Sequence, residues 1–192
     1  MYRIHTNPNN GYRSVIATQD IKKGTIILNE KPALIGEDMY DIIYKLYNED
    51  EDISMFKDLV PFEIDDNVIK YEKILMDIKT LPFYIRNFFL IMDPEEIRLL
   101  CAKFYRNAFR YKTESAILYQ GRLFNHSCNY NVEFELDEKN NSYIFRTTRD
   151  IKKNEELTDH YINTNLPFKQ RRKLLFDQYA FNCLCLNCLS SK

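Results

Sequence analysis

Three cysteines stand within six residues near the end of the chain, in Cys183-Leu-Cys185-Leu-Asn-Cys188. That spacing is too tight to place them as core residues on one face of a helix or strand, and convergent thiolates are ligands for a metal. Zinc is the expected ion, because it takes four sulfurs tetrahedrally and reduced thiols are available to it. The run supplies three ligands, so a fourth comes from elsewhere; the candidates are Cys101, Cys128 and a histidine. Free thiols on a frayed tail are the plain alternative.

A second cluster is Asn125-His126-Ser127-Cys128-Asn129-Tyr130-Asn131, polar or hydrogen-bonding throughout and placed directly after Leu123-Phe124. Such a run is not core filler. By residue type it is a polar loop with a metal-binding cysteine, or an asparagine-rich turn. A cysteine nucleophile paired with His126 is a weaker reading: the two residues are two apart on an extended segment, and no acid is evident to orient the imidazole. Further on, Asn154-Glu-Glu-Leu-Thr-Asp-His-Tyr161 ends in a tyrosine that, taken alone, is an ordinary strand residue.

Elements of several kinds must position these groups. Ser14 to Thr18, the turn Asp20-Ile-Lys-Lys-Gly24 and Thr25 to Leu28 read as strand, turn and strand. The turn recurs as Asp150-Ile-Lys-Lys-Asn154, with Asn replacing Gly, and both residues tolerate a left-handed backbone. From 38 to 110 apolar residues recur at three- and four-residue steps, as in Ile42, Ile43, Leu46 and Ile74, Leu75, Ile78, which predicts helices. Asp93-Pro94-Glu95-Glu96 starts one of them with a capping residue, a first-turn proline and two acids, and it is expected to run to about Asn107. Ala116 to Tyr119 reads as extended. Val132, Phe134 and Leu136 alternate with polar residues before a turn at Asp137 to Asn141, making a hairpin with Tyr143 to Thr148. Pro167 opens an amphipathic helix over Phe168 to Tyr179, whose Arg171, Arg172 and Lys173 read as a solvated face.

Taken together, the motifs resemble those of SET-domain protein-lysine methyltransferases. Asn125 to Asn131 is similar to that family's NHSCxxN motif and Asn154 to Tyr161 to its GEELTxxY motif. The tail from Arg171 through Tyr179-Ala-Phe181 to Cys188 resembles its post-SET segment with CxCxxC, as found in the SET and MYND group. Asn107-Ala-Phe109 and Asp20 to Gly24 fit that group as well. The family's GxG stands here as Tyr12-Arg13-Ser14, and the proline of NHSCxPN as Tyr130.

The resemblance implies an α+β fold, mostly β with a helical insert, in which the two motif segments thread past each other as a pseudoknot. The implied domains are a SET domain over 1–166 with its insert at about 38–110, and a post-SET helix and zinc tail over 167–192, with no MYND finger. It implies Cys128 as the zinc ligand joining Cys183, Cys185 and Cys188, which leaves Cys101 as a buried core thiol. The cofactor is then S-adenosylmethionine, with Arg13, Asn107, Asn125 and His126 toward its polar and adenine parts and Tyr179 and Phe181 packing its ring. Tyr161 becomes the catalytic residue, and the partner a protein or peptide lysine, with histone tails and chromatin as one setting. A catalytically inactive, zinc-binding interaction module of the same fold is the alternative.

Composition sets outer bounds on these readings. The 192 residues make one domain, or one with a small appendage, and 45% hydrophobic with 29% charged residues is ordinary for a globular core. Lys and Arg number 27 against 28 Asp and Glu; that balance excludes the basic field behind general nucleic-acid or anionic-membrane binding. Apolar runs stay short of the roughly 18 residues of a membrane span and the N-terminus has no signal-peptide pattern, so an intracellular protein, nuclear or cytoplasmic, is expected. Five cysteines, an odd number, argue against a disulfide framework. The 14 Tyr and 13 Phe fit an aromatic-lined pocket or ordinary core packing equally.

Overall fold

The computed structural model describes residues 1–8, 11–48, 57–62 and 71–190. Strands β1 (Tyr2–Thr6), β2 (Arg13–Ala17), β3 (Ile26–Glu30) and β4 (Leu34–Gly36) come first. Helices α1 (Met39–Asn48), α2 (Tyr71–Thr80), α3 (Phe83–Leu90) and α4 (Pro94–Asn107) follow. Then come β5 (Ala108–Tyr111), β6 (Glu114–Ile117), β7 (Asn125–His126), β8 (Val132–Asp137), β9 (Ser142–Thr147) and β10 (Glu156–Asp159), and lastly helices α5 (Phe168–Tyr179) and α6 (Leu186–Leu189). The fold is α+β, with a cysteine cluster at the C-terminal end. The chain forms two compact units, Met1–Pro32 with Leu118–Lys192, and Ala33–Ile117.

The Ala33–Ile117 unit has its own apolar core of Leu34, Ile42, Ile43, Leu46, Ile74, Ile78, Phe89, Ile97 and Cys101, among others. The three- and four-residue periodicity expected of 38–110 is this buried helical face. Helix α4 starts as its residues dictate: the Asp93 carboxylate accepts from the amides of Glu95 at 2.9 Å and Glu96 at 3.1 Å, with Pro94 in the first turn. Of the sheet β4-β6-β5 that closes this unit, only the end of β6 falls in the stretch Ala116 to Tyr119 that reads as extended. Its strands are three or four residues long, too short for an alternating pattern to stand out.

The other unit holds two sheets, in the orders β1-β2-β10-β7 and β3-β9-β8. The hairpin β8–β9 forms as expected, with Val132 opposite Thr147 and Asp137 opposite Ser142. The polar N-terminal segment, which carries little strand signal, becomes edge strand β1 against β2.

The two Asp-Ile-Lys-Lys turns pack on each other. Ile21 and Ile151, both buried, form an antiparallel bridge. The Asp150 carboxylate accepts from the Lys23 amide at 2.8 Å and pairs with the Lys22 ammonium at 3.0 Å. Asp20 does the same with Lys153 at 2.9 Å and Lys152 at 3.1 Å. Gly24 and Asn154 both sit at positive φ, 79° and 70°. Strand β2, before the first turn, pairs with β10, after the second; β9, before the second, pairs with β3, after the first. The repeated sequence is therefore a local two-fold arrangement of two strand-turn-strand pieces.

A further hook steers the chain toward β7. The Glu30 carboxylate accepts from the amides of Tyr119, Gln120 and Gly121, the last at 2.8 Å. Gly121 is required there, since a Cβ would lie 2.6 Å from both Leu118 Cδ1 and Phe145 Cζ.

The amides of Lys153 and Lys23, with the paired ammonium groups, hold the Asp20 and Asp150 carboxyls below their usual range. A carboxyl depressed by folding adds stability above its unfolded pKa and loses it as the pH falls through the folded value. The double variant Asp20→Asn/Asp150→Asn is therefore expected to melt below the wild type at neutral pH, with the gap closing below about pH 4. The effect is small for exposed pairs, and a gap that stays constant across the acid range in thermal unfolding refutes it.

Candidate active site and metal centre

The segments 125–131 and 156–161 lie side by side. Strand β7 runs parallel to β10, with Asn125 beside Thr158 and His126 beside Asp159. The Ser127 amide donates to Asp159 O at 2.8 Å, and the Asn131 amide to Thr158 O at 3.1 Å. Buried Asn131 closes the join with its side chain: Oδ1 accepts from the Thr158 amide at 2.8 Å and Nδ2 donates to Glu156 O at 2.8 Å.

Asn125 spends both hydrogens of its amide, on Arg13 O at 2.6 Å and on Glu156 Oε1 at 2.9 Å. The Tyr12 phenol hydrogen-bonds to the side chains of both Asn125 and Glu156, which closes this polar cluster. The His126 ring is set by the other segment, because the Tyr161 amide donates to Nδ1 at 3.0 Å. Nδ1 must then be unprotonated and the proton sits on Nε2, 3.4 Å from Cys128 Sγ. Burial, with His160 and Arg171 nearby, pushes the imidazole pKa down to about 4, so the ring is neutral at pH 7. That tautomer leaves no acceptor for a Cys128 proton and disposes of the cysteine-nucleophile reading.

Around Tyr161 the aromatic rings converge, with centroids at 4.9 Å for Tyr179, 5.4 Å for His126 and 6.5 Å for Phe181. The Tyr161 hydroxyl donates to Phe124 O at 2.9 Å. Burial pushes its pKa up, so it stays a neutral phenol whose oxygen can still accept. Asp159, two residues before it, is buried, accepts from the His160 amide, and lies 3.1 Å from His160 Nδ1. Asn107 belongs to the Ala33–Ile117 unit, where its buried amide donates to Val60 O and Lys103 O, both at 2.7 Å.

The tail folds back on this site. Helix α5 ends at Ala180 in a left-handed conformation, φ 58° and ψ 31°, which reverses the chain toward Phe181. Cys185 precedes the short helix α6, and the Cys188 amide donates to Cys185 O at 2.9 Å, which brings the two thiols together. The four sulfurs of Cys128, Cys183, Cys185 and Cys188 lie within 4.8 Å of one another, and those of Cys128 and Cys188 at 3.5 Å. Around a tetrahedral zinc with bonds of about 2.3 Å the sulfurs are spaced by about 3.8 Å, so this set fits the ion. Cys101 is fully buried in the helical core, and burial pushes its thiol up to about 12. For Cys185, burial is outweighed by the Cys188 amide and the Cys183 thiol, which hold it down to about 7; a metal ligand must lose this proton.

Two residues here were missed by reading the sequence. Glu156, within the second motif, orients the Asn125 amide. Arg171, assigned to a solvated helix face, turns inward, with Nη1 donating to Leu166 O at 2.6 Å and Nη2 4.0 Å from Cys188 Sγ. The signal was its i,i+4 relation to the fully buried Leu175, which puts the two on one face.

Residues 12–162 match the family model described as SET domain. A SET domain-containing protein of Acanthamoeba polyphaga mimivirus is 35% identical over 192 residues, covering 92% of this chain and 73% of that protein. A SET and MYND domain-containing protein of Dictyostelium discoideum is 32% identical over 92 residues, 48% of this chain. The human histone-lysine N-methyltransferase SMYD3 is 39% identical over 66 residues, 34% of this chain. The matched stretch is 15% of the length of each of the last two.

If the four thiols hold zinc, native mass spectrometry should find one ion per chain, lost in Cys128→Ser and Cys185→Ser and kept in Cys101→Ser. Chelation should speed hydrogen exchange first from Tyr179 onward. Zinc retained by Cys128→Ser excludes that cysteine as a ligand.

Proposed function

Since the chain belongs to the SET domain family, we propose that it is an S-adenosylmethionine-dependent protein-lysine N-methyltransferase with a zinc-fastened tail. The observation that carries this reading is the Tyr161 hydroxyl, fixed by Phe124 O inside a ring of aromatic side chains. Names of relatives such as SMYD3 make histone lysines one class of substrate to try.

When bound, S-adenosylmethionine would supply a sulfonium methyl group, a neutral amine forming the C–N bond in line as the C–S bond breaks and the neutral thioether leaves. The protein has to align the amine and keep it unprotonated. Neutralising a lysine at pH 7 costs about 4 to 5 kcal/mol, and burial among Tyr161, Tyr179 and Phe181 lowers that cost by disfavouring the ammonium. Tyr161 is no general base, since its proton is engaged by Phe124 O and its pKa is raised. Its free lone pair accepts from the amine N–H, which directs the nitrogen lone pair toward the methyl. Arg13, Asn125, His126, Tyr179 and Phe181 are the proposed neighbours of the cofactor in this unit. Zinc at the four cysteines would hold Phe181 and Tyr179 against Tyr161.

A second reading draws on Tyr12-Arg13-Ser14, where the family pattern has glycines that allow close backbone approach to a ligand. It makes the chain an inactive zinc-binding interaction module. Calorimetry with S-adenosylmethionine separates the two, since the enzyme reading requires binding, and methylation of peptide arrays with labelled cofactor then finds the substrate.

Tyr161→Phe keeps the ring and removes the hydroxyl. On a substrate methylated by the wild type, kcat should fall about 10- to 1000-fold, about 1.4 to 4 kcal/mol of orientation, with little change in cofactor affinity or melting temperature. Unchanged turnover removes Tyr161 from the mechanism, and an equal loss of cofactor affinity makes it a binding residue instead.

A further inference from the structure

Four thiolates around a divalent zinc leave a net charge of two minus on the site. Two of the sulfurs, on Cys128 and Cys188, are in buried residues. Charge withdrawn from water in this way is costly unless groups of opposite charge or hydrogen-bond donors face it.

Among the described residues, two side chains from two elements face these two sulfurs, while the backbone amides of Cys128, Cys185 and Cys188 serve the sulfurs of Cys183 and Cys185. From β7, the Nε2–H of His126 points at Cys128 Sγ at 3.4 Å, with its tautomer fixed by the Tyr161 amide. It is a neutral donor. From α5 comes a cation: Arg171 Nη2 lies 4.0 Å from Cys188 Sγ, while Nη1 is anchored on Leu166 O at 2.6 Å. The adjacent basic residues turn elsewhere, Arg172 to Asn182 Oδ1 at 2.9 Å and Lys173 to Asp177. The basic run Arg171-Arg172-Lys173 is thus divided, with one guanidinium against the sulfurs and two charges in solvent. Arg171 Nε is buried and finds no partner among the described residues. A guanidinium placed there for packing or for Leu166 alone has no reason to present its second nitrogen to sulfur.

We propose that Arg171 is the charge-compensating residue of the four-cysteine metal site, touching sulfur rather than metal and strengthening the hold on zinc. This rests on the zinc reading above and extends it to a residue outside the cysteine motif. One consequence is mechanical: α5, which carries Tyr179, is fastened to the tail through the metal site.

The test is zinc affinity of the full chain by competition with a chromophoric chelator, with Arg171→Met, Arg171→Gln, Arg171→Lys and Arg172→Met compared. Both neutral variants at 171 should bind zinc about 10- to 100-fold more weakly, Arg171→Lys should recover most of that loss, and Arg172→Met should match the wild type. In cobalt-loaded protein, the neutral variants should shift the thiolate-to-metal charge-transfer bands while keeping the tetrahedral ligand-field bands. Wild-type affinity in Arg171→Met or Arg171→Gln overturns the proposal. So does a loss in Arg171→Lys as large as in the neutral variants with unshifted charge-transfer bands, which reduces Arg171 to an anchor for Leu166. A wild-type chain that binds no zinc overturns the zinc reading itself, a result distinct from either.

Discussion

Asn131 is buried between two stretches of chain that are far apart in sequence, and its carboxamide substitutes for the missing rungs of a two-residue parallel ladder. A parallel pair as short as β7 and β10 has few backbone bonds of its own, so the join depends on side-chain donors and acceptors. Every group of the candidate site in this unit is referenced to that join. Asn125 and His126 lie on one side of it and Tyr161 at the end of the other, with Cys128 three residues before Asn131. A loosened join would displace Asn125, Tyr161 and Cys128 together.

The join is stabilised from both ends. On one side the twin turns at Asp20 and Asp150 interlock, which fixes β10 against β2 and β9 against β3. On the other, the tail returns over Cys128 and brings its three thiols to the loop that leaves β7. Between them the His126 ring takes a hydrogen bond from the Tyr161 backbone and gives one toward Cys128 sulfur. One imidazole thus links Tyr161 to the cysteine cluster. Burial keeps the ring neutral at that place, and the Tyr161 amide selects the tautomer.

Much of this was legible in the residues. The cysteine spacing announced a convergent thiol cluster, the Asp93 to Glu96 run fixed a helix start, and alternation over Val132 to Leu136 gave a hairpin strand, because each signal is local and acts through near neighbours. Repetition of Asp-Ile-Lys-Lys was visible too, but its meaning was not: two copies look alike in sequence whether they pack together or lie on opposite faces.

Tertiary structure alone decided the rest, for reasons of distance along the chain. Glu30 selects the turn at Tyr119 to Gly121, and no local pattern says that one carboxylate will take three amides from a segment so remote. Asn125 was visible as a site residue, yet the direction of its amide depends on Glu156 and on the Arg13 carbonyl. The three basic residues of α5 read as solvated because such a run usually is; the i,i+4 step to Leu175 puts Arg171 on the inner face, and the sulfur it meets there is set by where the cysteines come to rest. Residue types alone singled out the thiols capable of binding a metal, while Tyr161 stood out only through the family resemblance. Their geometry waited on long-range hydrogen bonds and buried charge, interactions whose partners only folding brings within reach.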